Sequence, residues 1–369
     1  MVSIARKNML AGKGRFAFSV AGVAVSVLLL SFVLALYRGW SERLTSYLEE
    51  ADADLWVVQR GNESFFSPSI IPISSQATIE SVAGVEGLTA FRGRTLRLQH
   101  DGESYDAYVM GVEALKGEPL GGPTGIKEGA PVSATGQIVV DDVLARIAGI
   151  EIGDEVVAGR LPLRVVGISR GGNLGVSILC FVHSLDARAL LQDFPFVNYY
   201  LVDSAEGQES SVAAGIEATS AGLAVFTSDQ FVANSRRVLE RTILPVLGVI
   251  VVLVFAVGAI VVGLTIYTAT MEKEREFGVM KAIGTPNRRL LGVVLEQSLV
   301  CCLAGFVIGQ LAVLGATRAA TLVVPQFVTL VKWQDAVLVF AAALLLSLVA
   351  GWLPMRRLMR VDPLTVFKA

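Results

Sequence analysis

A chain of 369 residues with 53% hydrophobic and only 17% charged side chains is too apolar for a soluble protein of its length, and the excess is gathered into a few blocks. Its 31 basic and 33 acidic residues leave a formal charge of −2, which offers no field for nucleic acid. One isolated cysteine, Cys180, and the adjacent pair Cys301 and Cys302 exclude a disulfide framework.

The first block, residues 16–37, is nearly charge-free over about the length that crosses a bilayer. It is longer than the apolar core of a signal peptide, and residues 35–40 (ALYRGW) lack a small-residue cleavage pattern, so it reads as a retained anchor. Three further spans are predicted at 243–268, 290–316 and 336–353, the last with Asp335 at its outer edge. Arg6, Lys7, Lys13 and Arg15 precede the first span. Lys273, Arg275, Lys281, Arg288 and Arg289 lie between the second and third, and Arg356, Arg357, Arg360 and Lys368 follow the fourth. The third-to-fourth loop carries only Arg318 and Lys332, so the positive-inside rule puts both termini and the second-to-third loop in the cytosol.

Residues 41–241, between the first two spans, are enough for a core of their own. Strands are predicted at 54–59, 95–99, 105–110 and 137–140. A turn at Gly153-Asp154 opens a strand at 155–158, and a second turn at Gly159-Arg160 returns the chain as 163–168. Residues 184–191 read as a helix capped by Ser184, and 198–202, 211–221 and 224–227 as a strand–helix–strand unit. The Gly- and Pro-rich stretch 117–136 reads as a mobile loop. Residues 64–72, apolar but broken by prolines, read as a loop near the membrane surface, and 228–241 as a helical stalk running into the second span.

The densest signal lies at 271–284, between the second and third spans. Phe277, Met280 and Ile283 recur three apart and share one face of a short charged helix. Gly284 supplies the stop, and Thr285-Pro286 the cap and first residue of the next helix. A short helix with an apolar ridge, tied to two spans, suits docking into a groove on a cytosolic partner.

Catalytic signals are weak. Residues 11–14 (AGKG) and 121–125 (GGPTG) lack the spacing of a phosphate-binding loop, so ATP chemistry must come from another chain. His100 and His183, the only histidines, read as strand-end or turn residues, and Asp141 and Asp142 as solvated turn residues. No catalytic, cofactor-binding or metal-binding residue is assigned. Glu296, two turns inside the third span, reads as a polar pin between helices, with a proton or substrate contact as the functional alternative. Gly305 and Gly309 permit close helix approach. A candidate substrate entrance is formed by Leu34, Leu244 and Leu247, with Pro245 opening the second span and Arg237 and Arg241 above. Phe65 and Phe66 would cover it as a flexible flap. Apolar walls below basic groups suit a lipid-like or porphyrin-like anion, and arginines snorkelling to headgroups are the plainer alternative.

Residues 276–284 (EFGVMKAIG) resemble the coupling-helix motif of permeases of the MacB/FtsX-like class of ABC transporters. Residues 139–145 (VVDDVLA), 152–156 (IGDEV) and 163–168 (LRVVGI) resemble the core domain of that class, and 360–367 (RVDPLTVF) its C-terminal signature, with Asp362 as cap and Pro363 opening a last turn. The length, without a fused ATPase, is similar to the small haem-exporter (HrtB-like) and glycolipid-exporter (DevC-like) permeases. The resemblance implies four transmembrane helices with an α+β extracytoplasmic domain between helices 1 and 2. The expected boundaries are 1–40, 41–241, 242–270, a coupling helix at 271–286, 287–317, 334–354 and a tail at 355–369. It further implies a multi-pass protein of the bacterial cytoplasmic membrane, paired with a second permease copy, identical or paralogous. An ABC ATPase subunit would hold ATP and magnesium, this chain would bind no cofactor, and a periplasmic adaptor is a further partner of the class. Glu272, Glu276, Phe277, Gly278, Met280, Lys281, Ile283 and Gly284, with Asp362 and Pro363, would then be the ATPase-coupling residues. The implied function is ATP-driven export of a hydrophobic or amphipathic molecule such as haem, a lipid, a glycolipid or a drug. The alternative is a signalling subunit of the FtsX type that activates an extracytoplasmic hydrolase without transport.

Overall fold

The computed structural model describes residues 13–65, 67, 69–175, 177–191, 194–272, 276, 279 and 286–360. The elements begin with α1 (Lys13–Glu49), β1 (Leu55–Gln59), β2 (Ile71–Pro72), α2 (Ser75–Glu80), β3 (Val85–His100), β4 (Glu103–Lys116), β5 (Ile126–Gly129) and β6 (Gln137–Asp141). They continue with α3 (Asp142–Ala148), β7 (Glu155–Ala158), β8 (Leu161–Ser169), β9 (Leu179–Val182), α4 (Ser184–Leu190), β10 (Phe196–Val197), β11 (Tyr199–Ser204), α5 (Glu209–Thr219) and β12 (Leu223–Thr227). Three long helices follow: α6 (Ser228–Met271), α7 (Asn287–Val323) and α8 (Trp333–Arg360). Two compact units result. One is Gly39–Ile243 with Val323–Val328, and the other holds the described residues up to Arg38, Leu244–Leu322, and the described residues from Thr329 onward.

The inserted unit is built on one mixed sheet in the order β12-β1-β11-β3-β4-β9-β6-β8-β5, with β7 pairing β3 and β8. Period-two alternation in β1 divides its side chains between two cores. Leu55 and Val57 join Ile79 of α2 and Val212 and Ile216 of α5. Trp56 and Val58 join Leu44, Tyr47 and Leu48 of α1 and Phe231, Val232 and Leu239 of α6. Helices thus cover both faces, which is why the strand reads as the unbroken apolar run LWVV. The β7–β8 hairpin forms as its two-residue turn dictates, with Ala158 opposite Leu161 and Glu155 opposite Arg164. The expected strand–helix–strand unit also forms, but β1 inserts between β11 and β12 and pairs antiparallel with both.

Three sequence expectations are corrected in this unit. Phe65 is no flap: it is 9% exposed, stacks on Tyr199 at 5.7 Å between centroids and meets Phe91 edge-on at 6.0 Å. Its N–H donates to Ser235 Oγ (3.1 Å), and its carbonyl accepts from the Tyr199 hydroxyl (3.0 Å). Side-chain partners satisfy its backbone, so the aromatic ring can be buried. Residues 117–136 are not a loose loop throughout. Leu120 is buried with its N–H on Thr89 Oγ1, Gly121 N–H donates to Ala51 O, and β5 pairs with β8. The cap of α4 is His183 rather than Ser184, its Nδ1 accepting from Leu185 N–H at 3.3 Å. His100 ends β3 with Nδ1 3.2 Å from Glu155 O.

Among the described residues, four helical stretches are long and apolar enough to cross a membrane: Phe16–Glu49, Ser228–Thr268, Leu295–Val323 and Trp333–Trp352. In the second unit α1 lies directly on the two glycines of α7. A Cβ built on Gly305 would fall 2.6 Å from Val23 Cβ, and one on Gly309 would fall 2.7 Å from Val27 Cβ and 2.8 Å from Ala24 O. Small residues at this spacing allow the backbones to approach, as the sequence led us to expect. Arg38 holds Asp335 through Nε and Nη2, the latter at 3.0 Å, and Leu330 N–H donates to Ala35 O. A charge at a membrane helix terminus is costly without a partner, and Arg38 and Asp335 supply each other's. Pro245, read as opening a helix, lies inside α6, which continues through it at the loss of one backbone bond.

Candidate functional site

The predicted coupling segment is only partly described. Glu272 continues the turn of α6 through its N–H to Thr268 O (3.1 Å), and Glu276 and Val279 have helical backbone with exposed side chains. Phe277, Gly278, Met280, Lys281, Ile283 and Gly284 lie outside the described residues, as do Asp362, Pro363 and Phe66. Glu296 is on α7 with an exposed side chain.

The residues of the expected entrance are divided between the two units. Leu34 packs against the apolar cluster of the helical unit together with Val251 and Val254. Leu244 is exposed and Leu247 half-buried on α6. Arg237 and Arg241 belong to the inserted unit and are exposed, Arg237 donating to Asn234 Oδ1 (3.1 Å). Phe65 leaves this set altogether, because its ring fills the inserted unit's core.

The sharpest electrostatic feature was not legible as such. Asp141, expected to be a solvated turn residue, is fully buried where β6 turns into α3. Oδ1 accepts from Val143 N–H (2.9 Å), capping α3, and Oδ2 accepts from Gly172 N–H (2.9 Å). The helix is closed at its other end by Gly149 with φ +67°, whose N–H returns to Ala145 O. Burial pushes the Asp141 carboxyl up to about 6, and Asp142 adds to the shift, while the two N–H donors and Arg43 oppose it. Burial likewise raises the neighbouring Cys180 thiol, and it stays protonated. An Asp before a helix with a glycine stop does announce a cap in the sequence. Its burial does not, because the lid is Gly172, supplied 31 residues later.

The sign of the resulting pH effect is fixed. Between 3.8 and about 6 the folded chain keeps a proton that the unfolded chain has released, so this group's contribution to stability falls as pH rises through that window. The slope is at most about 1.4 kcal/mol per pH unit. Asp141→Asn is expected to remove it from acid-range unfolding of the full chain, while lowering stability overall by leaving Gly172 N–H without its acceptor. A variant that keeps the wild-type slope would show that Asp141 does not titrate in this window.

Comparison with known proteins decides the family. The MacB-like periplasmic core domain matches residues 16–219, and the FtsX-like permease C-terminal domain matches residues 248–363. The chain belongs to the MacB/FtsX-like permeases. Among curated relatives it is similar to the macrolide export ATP-binding/permease protein MacB of Agrobacterium fabrum, 20% identical over 96% of this chain and 58% of that one. It is also similar to the putative hemin transport system permease protein HrtB of Staphylococcus epidermidis, 21% identical over 98% of each chain. The chain thus spans little more than half of the MacB relative but nearly all of the HrtB relative. Among solved structures it is similar to the periplasmic region of MacB from Actinobacillus actinomycetemcomitans, with 13% identity, a TM-score of 0.38, and coverage of 48% of this chain and 90% of that one. In this MacB/FtsX-like permease, the inserted unit is the MacB-like core domain and stands between the first two of the four membrane helices.

Proposed function

We propose that this chain is the permease subunit of an ATP-driven exporter, passing motion from a separate ATPase to its MacB-like core domain to extrude a hydrophobic or amphipathic substrate. One observation carries the reading. Helices α1 and α6 each run without interruption from a membrane span into the core domain, and both end among the same buried aromatics. Tyr47 of α1 packs on Phe65, Phe231 of α6 packs on Trp56 (stacked at 4.7 Å) and Tyr199, and Phe65 joins the two through Trp56 and Tyr199. A close-packed core is stiff, so displacement of either helix moves the domain rather than compressing the contact. Supporting the choice of an exporter are relatives whose names specify macrolide export and hemin transport.

On this reading ATP and magnesium sit on the partner ATPase, and the coupling helix of residues 271–286 receives the stroke. A second permease copy completes the membrane part, in the cytoplasmic membrane with both termini inside. The test is reconstitution of the chain with its ATPase in proteoliposomes, with hemin, a lipid analogue and a macrolide as three separate probes. ATP-dependent movement of one of them supports export. ATP hydrolysis that moves none of them, but exposes or releases a core-domain surface to a hydrolase, assigns the signalling role instead.

A further inference from the structure

We propose that a cleft in the core domain, between α1 and the corner that follows β8, binds a phosphate-bearing anion. The cleft has a volume of about 320 Å³. Arg43 of α1 and Glu50 just after its end line it on one side, and Thr124, Gly125, Arg170 and Gly171 line it from the opposing loops. Roughly ten waters would fill such a space, so a phosphate ester fits without rearrangement.

Charge and rigidity single it out. The Arg43 and Arg170 side chains are exposed, and among the described residues neither has a carboxylate within ion-pair distance. Two guanidinium groups facing one cleft are the groups best suited to phosphate, because each offers paired donors to two oxygens. The corner that carries Arg170 is tied down on three sides. Arg170 N–H donates to Gly125 O (2.9 Å), Thr124 Oγ1 donates to Arg170 O (2.8 Å), and Gly172 N–H is held by the buried Asp141 (2.9 Å). Gly171, at φ +82°, adopts a conformation that strains any side chain, and a Cβ there would fall 2.6 Å from Thr124 Oγ1, so glycine makes room for the Thr124 tie. Little ordering entropy therefore remains to be lost on binding. Glu50, in the turn that closes α1, lies seven residues beyond Arg43, about 10 Å along the helix axis, where its charge repels a second anion and suits a tethered ammonium. Free phosphate and a lipid headgroup share this chemistry. The inference does not depend on the export reading, since it concerns binding by this chain alone.

The test uses the full-length chain. In phosphate-free detergent solution, inorganic phosphate is titrated by calorimetry at ionic strength held constant with chloride. We expect saturable binding, weakened at least tenfold by Arg170→Gln and by Arg43→Gln and tightened by Glu50→Gln. All three side chains are exposed, so each variant is expected to unfold at the wild-type temperature. In a parallel arm, the chain is assembled in nanodiscs of phosphatidylglycerol or phosphatidylcholine, and retained lipid is measured by native mass spectrometry. Selective retention of phosphatidylglycerol that Arg170→Gln abolishes, without binding of inorganic phosphate, assigns the site to a headgroup. Binding that both arginine variants leave unchanged, or no binding in either arm, overturns the proposal.

Discussion

Phe65→Ala is expected to destabilise the chain by about 3–5 kcal/mol, the usual cost of emptying a large aromatic position in a core. Among the described residues Phe65 meets five aromatic partners: Tyr47, Trp56, Phe91, Tyr108 and Tyr199, at centroid distances from 5.7 to 6.4 Å. Four of those partners lie in strands and one in α1, so the cavity would open where that helix meets the sheet. Relaxation is limited, because the same rings also pack on one another. Phe65→Leu should recover part of the loss by refilling most of the volume. The measurement is unfolding of the full chain in detergent, followed by near-ultraviolet circular dichroism of the aromatic cluster. A surface flap predicts a change within about 0.5 kcal/mol, and that outcome would return Phe65 to the membrane surface.

The second large effect is expected in the coupling segment. If Phe277 and Met280 seat in a groove on the ATPase, truncating either removes an anchor whose loss typically costs about 2 kcal/mol or more. That is roughly a thirtyfold loss of affinity at this contact. Phe277→Ala and Met280→Ala are therefore expected to abolish ATP-driven transport while the isolated ATPase keeps its basal turnover. Gly284→Val should act in the same direction, since a β-branched residue is strained at the positive φ that a helix stop demands. Transport that survives both alanine variants at the wild-type rate would remove the apolar ridge from the mechanism.

The parts of this architecture that were legible in the sequence are those governed by local pattern. The membrane helices announce themselves by unbroken apolar runs, the β7–β8 hairpin by its Gly159-Arg160 turn, and the α1–α7 contact by Gly305 and Gly309. What stayed hidden depends on residues distant in the chain. Asp141 resembles any strand-end carboxylate until Gly172 folds over it, and Phe65 resembles a loop residue until β1, β3 and β11 supply its partners. Residues 117–136 have the composition of a mobile loop, yet pairing with β8 orders part of them. Arg43 and Arg170 carried no signal at all, because their proximity exists only once α1 extends past the membrane span and β8 ends beside it. Functional geometry here arises at junctions between elements, where periodicity is silent.

The central claim, that an ATPase drives this permease through the segment after α6, is tested most directly by site-specific crosslinking. A cysteine at Val279, exposed on helical backbone in that segment, is paired with a photoactivatable crosslinker in the chain co-expressed with its ATPase. The account predicts an adduct between the two chains, whose yield changes when ATP is added and falls with Phe277→Ala. No adduct from position 279 to the ATPase, while a probe at Gly122 in the core domain does capture it, would contradict the account.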